Sequence, residues 1–137
     1  MAEVCGAVAV IVTLVYLAVQ VGQNNRLMEA VLAESHVNAA NEIARLLASD
    51  QDAANIFWKG LETPRKDLPL EALRRFDPMV FLYAMSAYQA FRQKDEAGLA
   101  RADWILQYVG FQEWWAEYQN TYPEAFQHFQ NEKLARL

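Results

Sequence analysis

The sequence predicts an all-α protein in which a single N-terminal transmembrane helix is followed by a small helical bundle of about five to six helices. Two observations predict this class. The chain opens with a long apolar run, and apolar side chains then recur three and four residues apart, the spacing that places them on one face of a helix. We therefore divide the chain into a transmembrane anchor, residues 1–25, and a helical body, residues 26–137.

The apolar run, residues 4–21, contains no charged residue, and only Thr13 and Gln20 in it are clearly polar. As a helix, its length of about 27 Å is close to the hydrocarbon thickness of a bilayer. A secretory signal peptide would need a basic segment before the run, where Glu3 stands, and a small-residue cleavage site after it, where residues 22–25 are mostly polar. A buried soluble helix is the alternative, but an entirely apolar helix needs protein on every side.

One stripe of the anchor carries small and polar residues and is predicted to be a helix-packing face. Its members, at spacings of four and three, are Ala2, Gly6, Ala9, Thr13, Tyr16 and Gln20. Small residues let helix backbones approach, and Thr13 or Gln20 can add a polar contact in lipid. The predicted partner is another copy of this chain or another membrane protein subunit. The alternative is that a valine-rich helix shows such a stripe by chance.

The flanks of the anchor predict its orientation. Arg26 is the first cation after the apolar run, and basic residues favour the cytoplasmic side, so the body is expected in the cytoplasm. Cys5, the only cysteine, lies within the anchor. The chain therefore has no intramolecular disulfide that would indicate an oxidising compartment.

The first body helices are predicted from periodicity and from capping signals. An amphipathic helix is expected over residues 26–48, and residues 22–25 are either a break before it or a polar collar within one continuous helix. Ser49 and Asp52 match a capping box for the next helix. A turn follows, and Pro69 is suited to the first position of a third helix.

That third helix is expected to be the central core helix, because residues 79–85 are apolar almost all round. Pro78 either kinks it or begins a fresh helix capped by Asp77, and we favour the kink. A further helix is expected to begin after Gly98 and to end at Gly110.

Aromatic residues then recur at helical spacing, followed by a last helix that Pro123 opens. The stripe consists of Phe111, Trp114, Trp115, Tyr118 and Tyr122. Large aromatic side chains at this period are predicted to form core, since each buries about 150 to 250 Å². The alternative is an interaction stripe, either a membrane-interface belt or a ligand cage.

The sequence offers no catalytic, metal-binding or cofactor-binding residues. Glu124, His128 and Glu132 share one helical face, but a metal site needs ligands from another element as well. Twelve Lys and Arg stand against 17 Asp and Glu, and a net charge of −5 disfavours nucleic acid as a partner. Two basic pairs, Arg65–Lys66 and Arg74–Arg75, either contact anionic lipid headgroups or lie on solvated surface.

Four segments resemble a known family: residues 11–21, 23–25, 110–115 and 122–126. They are similar to a family of small bacterial proteins with an N-terminal membrane helix and an all-helical body, and the resemblance covers nearly the whole chain. It implies a single-pass protein of the bacterial inner membrane with no assigned activity. Gly22 departs from the family pattern, where a basic residue is expected, and Asp77–Pro78 interrupts a helix expected to be continuous.

Three functional hypotheses follow. The first is a non-enzymatic accessory or structural subunit of a membrane complex or homo-oligomer, whose partners are the lipid bilayer and other membrane protein subunits or copies of itself. The second is a helical receptor or sensor module that binds a small apolar ligand. An enzyme is the third, and it is disfavoured because no acid, base or nucleophile cluster is present.

Overall fold

The structure, a computed structural model, describes the backbone of residues 2–137 and the side chains of residues 10–28, 30–31 and 41–137. Over residues 2–137 it contains helices and no strand, which confirms the predicted all-α class and helical bundle. The α-helices are α1 (Ala2–Ser49), α2 (Gln51–Glu62), α3 (Leu70–Gln93), α4 (Glu96–Ala102), α5 (Val109–Tyr118) and α6 (Glu124–Leu134). Short 3-10 helices occupy Arg65–Asp67, Asp103–Gln107 and Gln119–Thr121.

The chain forms two compact units, residues 1–35 and 36–137. The first unit is part of α1, and all of its described side chains are exposed. The second unit holds the end of α1 together with α2 to α6, and Ile43 and Leu47 of α1 pack within it. Among the described residues, no helix is both long and apolar enough to cross a bilayer.

The junction between α1 and α2 differs from the predicted capping box. The carboxylate of Asp50 accepts hydrogen bonds from the backbone N–H groups of Asp52 and Ala53, at 2.9 and 3.0 Å. Ser49 instead ends α1, and its hydroxyl donates to the carbonyl of Leu46. The prediction that Ser49 caps α2 was wrong because only Asp50 has the extended backbone, with φ −121° and ψ 103°, that an N-cap needs.

Two alternatives that the sequence left open are settled by helix continuity. α1 continues through residues 22–25, which therefore form a polar collar and not a break. α3 likewise continues through Pro78, so no fresh helix begins there. Residues 79–85 are core on one side only, since Met79 and Val80 are buried whereas Phe81 and Leu82 are each 42% exposed.

α2 and α5 approach each other closely where Gly60 and Gly110 cross. A Cβ at Gly110 would overlap the carbonyl oxygen of Gly60 and lie 2.9 Å from the Cα of Leu61. A Cβ at Gly60 would overlap the ring of Phe76, at 2.6 Å from its Cγ. Both positions therefore need a residue without a side chain.

The prediction of one helix that begins after Gly98 and ends at Gly110 was wrong. α4 begins earlier, at Glu96, and ends at Ala102. The preceding 3-10 helix ends at Gln107, Tyr108 is extended, and α5 begins at Val109. No described glycine has a positive φ, so Gly110 is not a left-handed helix cap. Its role is the close approach of two backbones.

We predict that Gly110→Ala lowers the melting temperature of the body by about 10 °C or more. The new methyl group meets backbone atoms of Gly60, which cannot rotate away, and overpacking of this kind costs about 3 kcal/mol. Thermal unfolding of the full chain in detergent, followed by circular dichroism, measures the effect. Gly22→Ala is the matched control, because nothing lies within 4 Å of a Cβ there. Equal melting of the two variants would contradict the proposed crossing.

Candidate functional site

The described part of the predicted anchor is an exposed apolar helix. From Val10 to Val21 every side chain is exposed, and the large apolar ones range from 48% exposure at Leu17 to 62% at Val12. Soluble monomers rarely leave a continuous apolar surface of this extent uncovered. This segment therefore needs lipid or protein around it, and it is the first candidate site.

The predicted packing face is described only in part. Thr13, Tyr16 and Gln20 are exposed on α1, and the side-chain N–H of Gln20 donates to the hydroxyl of Tyr16 at 2.9 Å. This bond joins residues one helical turn apart, so each side chain satisfies part of the other's polar capacity. The side chains of Ala2, Gly6 and Ala9 lie outside the described residues.

The predicted aromatic stripe lies mostly in the interior of the body. Phe111, Trp114, Trp115 and Tyr122 are between 1% and 5% exposed, whereas Tyr118 is half-buried. The first four stripe residues lie on α5, but Tyr122 follows a 3-10 helix in extended conformation. Its ring still lies 5.3 Å from that of Trp115, so the structure brings the two together. This burial favours the core interpretation over an exposed interaction stripe.

Two polar atoms of the aromatic core have different environments. The indole N–H of Trp115 donates to the side-chain oxygen of Asn131 at 2.8 Å, and Asn131 donates in turn to Gln119. The buried hydroxyl of Tyr122 has no hydrogen-bond partner among the described residues. Burial raises the pKa of Tyr122 to about 12.

Sequence reasoning missed a network of charges centred on Arg65. Its guanidinium donates to both carboxylate oxygens of Asp77, at 2.5 and 3.0 Å, and lies 3.2 Å from Glu117. The backbone N–H of Arg65 donates to Glu113 at 2.6 Å. The hydrogen bonds to Asp77 raise the pKa of Arg65 above its usual value. The network therefore fastens the turn between α2 and α3 to α5.

The residues of the two basic pairs thus differ in their burial and in their carboxylate partners. Arg65 is half-buried and is engaged by three carboxylates, whereas Lys66, Arg74 and Arg75 are exposed. Of these three, Arg75 pairs with Asp52 at 2.7 Å. No sequence signal identifies the Arg65 contacts, since their partners lie 12 to 52 residues away along the chain.

A metal site and a small-molecule site are the remaining candidates. His128 lies 3.8 Å from Glu132 on the exposed face of α6, and no three His, Cys, Asp or Glu residues converge on a metal position in the described part of the chain. A groove of about 260 Å³ lies between α2 and α3. Its volume is below the usual range for small-molecule pockets, which begins at about 300 Å³. The groove is lined by Ile56, Pro69, Glu71, Ala72 and Arg75.

Comparisons with known proteins give no relative to guide these assignments. No family model, no curated protein and no solved structure matches this chain. The candidate sites accordingly depend on geometry and chemistry alone.

We predict that Trp115→Ala destabilises the body by about 3 to 5 kcal/mol, because truncating a buried large side chain loses apolar contact and leaves a cavity. Trp58→Ala is the matched control, since Trp58 is 43% exposed and truncation there removes less buried surface, although its ring contacts Trp104 and Tyr108. Urea unfolding of the full chain in detergent measures both free energies. If the two variants lose equal stability, the aromatic stripe is not the core of the body.

Proposed function

We propose that this chain is a non-enzymatic, membrane-anchored helical protein that acts as an accessory or structural subunit of a membrane complex or homo-oligomer. One observation carries the proposal: the apolar side chains from Val10 to Val21 are all exposed on α1. Burying each such side chain in hydrocarbon contributes about 1.5 kcal/mol or more. A bilayer offers that environment on every side of the helix.

The body supports a structural role over catalysis. Its buried aromatic residues pack on one another. The charge of Arg65 is neutralised by the carboxylates of Asp77 and Glu117. The groove between α2 and α3 is small and open. Such a body can present a folded surface to a partner at the membrane, while a reaction would need a positioned acid, base or nucleophile.

A second candidate is a receptor or sensor module for a small apolar ligand. The buried hydroxyl of Tyr122, which has no hydrogen-bond partner among the side chains that the structure describes, favours it. A buried polar atom without a partner costs free energy unless a bound molecule satisfies it. Quenching of tryptophan fluorescence by a saturating apolar ligand would support this candidate. A single buried water at Tyr122 would explain the hydroxyl without any ligand.

We place the protein in the bacterial inner membrane as a single-pass protein with its body in the cytoplasm. Arg26 directly after the proposed anchor supports this orientation. The bacterial assignment depends on the resemblance of the anchor and of the Gly110–Trp115 region to small bacterial membrane proteins. Expected partners are the bilayer and neighbouring membrane helices, including copies of this chain.

We predict that the full chain stays with the membrane fraction through carbonate extraction. The double variant Ile11→Arg, Val15→Arg should be released, because each arginine at the centre of a membrane helix costs about 2.5 to 3.5 kcal/mol. The matched control carries the same two charges at Asn24 and Asn25, in the polar collar, and should remain bound. Recovery of the unaltered chain in the soluble fraction without detergent would contradict membrane anchoring.

A further inference from the structure

We infer that α1 pairs with α1 of a second copy of this chain, side by side and parallel, along a seam that continues beyond the proposed anchor. The inference rests on the proposed function, because anchoring in one membrane orients all copies alike. Seam residues alternate at spacings of three and four, the pattern of two helices that wrap around each other. They are Val10, Thr13, Leu17, Gln20, Asn24, Leu27 and Val31.

Apolar side chains of α1 are exposed beyond the anchor, where lipid would not cover them. Leu27, Met28 and Val31 are 63%, 64% and 63% exposed, and all lie past residue 25, where the proposed anchor ends. Within the unit formed by residues 1–35, no described side chain is covered. Apolar side chains on a helix outside the hydrocarbon gain stability only from a protein partner.

The residue types in the part of the seam beyond the anchor favour a parallel pair of helices. In heptad positions, a is occupied by Val10, Leu17, Asn24 and Val31, and d by Thr13, Gln20 and Leu27. Val31 and Leu27 are the a and d residues that lie beyond the anchor. A β-branched residue at a with leucine at d favours two parallel strands, and a single asparagine at a fixes their register. Isoleucine at d would instead favour a trimer or tetramer.

Self-complementary chemistry identifies the partner as a second copy. An amide side chain offers both donors and an acceptor, so Asn24 and Gln20 can each bind the same residue of an identical helix across a two-fold axis. Gln20 uses one N–H for Tyr16, and its amide has a second N–H and a carbonyl oxygen. No seam position from Val10 to Val31 is charged, so identical helices meet without repulsion.

The seam ends where the sequence pattern ends. The next two positions at the same spacing are Glu34 and Asn38, and two glutamates facing each other across a two-fold axis would repel. Further along α1, Ile43 is only 3% exposed and Leu47 packs on the core of its own body. Ile43 and Leu47, near the end of α1, thus pack within the chain's own body.

Cysteine crosslinking of the full chain in liposomes tests the seam. On a Cys5→Ser background, we expect Asn24→Cys, Leu27→Cys and Val31→Cys to form disulfide dimers at least about tenfold faster than Asn25→Cys and Arg26→Cys. The two controls are exposed too and lie within one helical turn of Asn24 and Leu27, but their side chains point away from the seam. Uniform crosslinking, no crosslinking, or faster crosslinking of the controls would each overturn the seam.

A charge variant separates the seam from the anchor. Leu27→Glu should weaken self-association in liposomes, measured by energy transfer between labelled copies, by about tenfold or more, and Asn25→Glu should leave it unchanged. Equal energy transfer in the two variants overturns the seam. Carbonate extraction of the same samples reports on anchoring independently. A membrane-bound protein that forms no seam crosslinks refutes only the pairing. A soluble protein that forms seam crosslinks refutes only the anchor.

Discussion

The backbone contact between Gly60 and Gly110 sets the distance between α2 and α5, and the core of the body depends on that distance. Phe57 and Leu61 flank Gly60, and Phe111 follows Gly110, so the crossing brings fully buried side chains of both helices into one cluster. The ring of Phe76 on α3 fills the space that a side chain at Gly60 would take. Close packing of this kind is sensitive to the addition of even one methyl group.

Charged groups then hold the periphery of that crossing in place. Arg65 follows α2, Asp77 lies on α3, and Glu113 and Glu117 lie on α5, so one network connects three helices around the glycine contact. A guanidinium held by two N–H bonds to one carboxylate has a defined orientation as well as a favourable energy. The body therefore uses Arg65 internally, while the apolar side chains of α1 from Val10 to Val21 are exposed.

The sequence predicts the helical class and most of the helices because apolar periodicity and turn residues are local properties. It misplaces the helix expected between Gly98 and Gly110, where α4 and a 3-10 helix lie instead. It does not predict the role of Gly110, since a helix cap and a close helix approach both favour glycine and only the tertiary contact distinguishes them. Asp50 and Ser49 are both good capping residues, and the backbone geometry decides between them. The Arg65 network depends on residues far apart in sequence, and no local pattern indicates such contacts. The exposed apolar side chains from Val10 to Val21 are the structural observation that bears on the predicted anchor.

Hydrogen exchange of the full chain in lipid nanodiscs tests the central claim most directly, namely that the α2–α5 crossing is the core on which the body folds. We expect amides of residues 57–61 and 109–115 to exchange last in the body and in one common event, because the two segments can open only together. Amides at the exposed end of α6 should exchange earlier. Exchange of α5 well before α2, or of both as fast as the end of α6, would contradict the account.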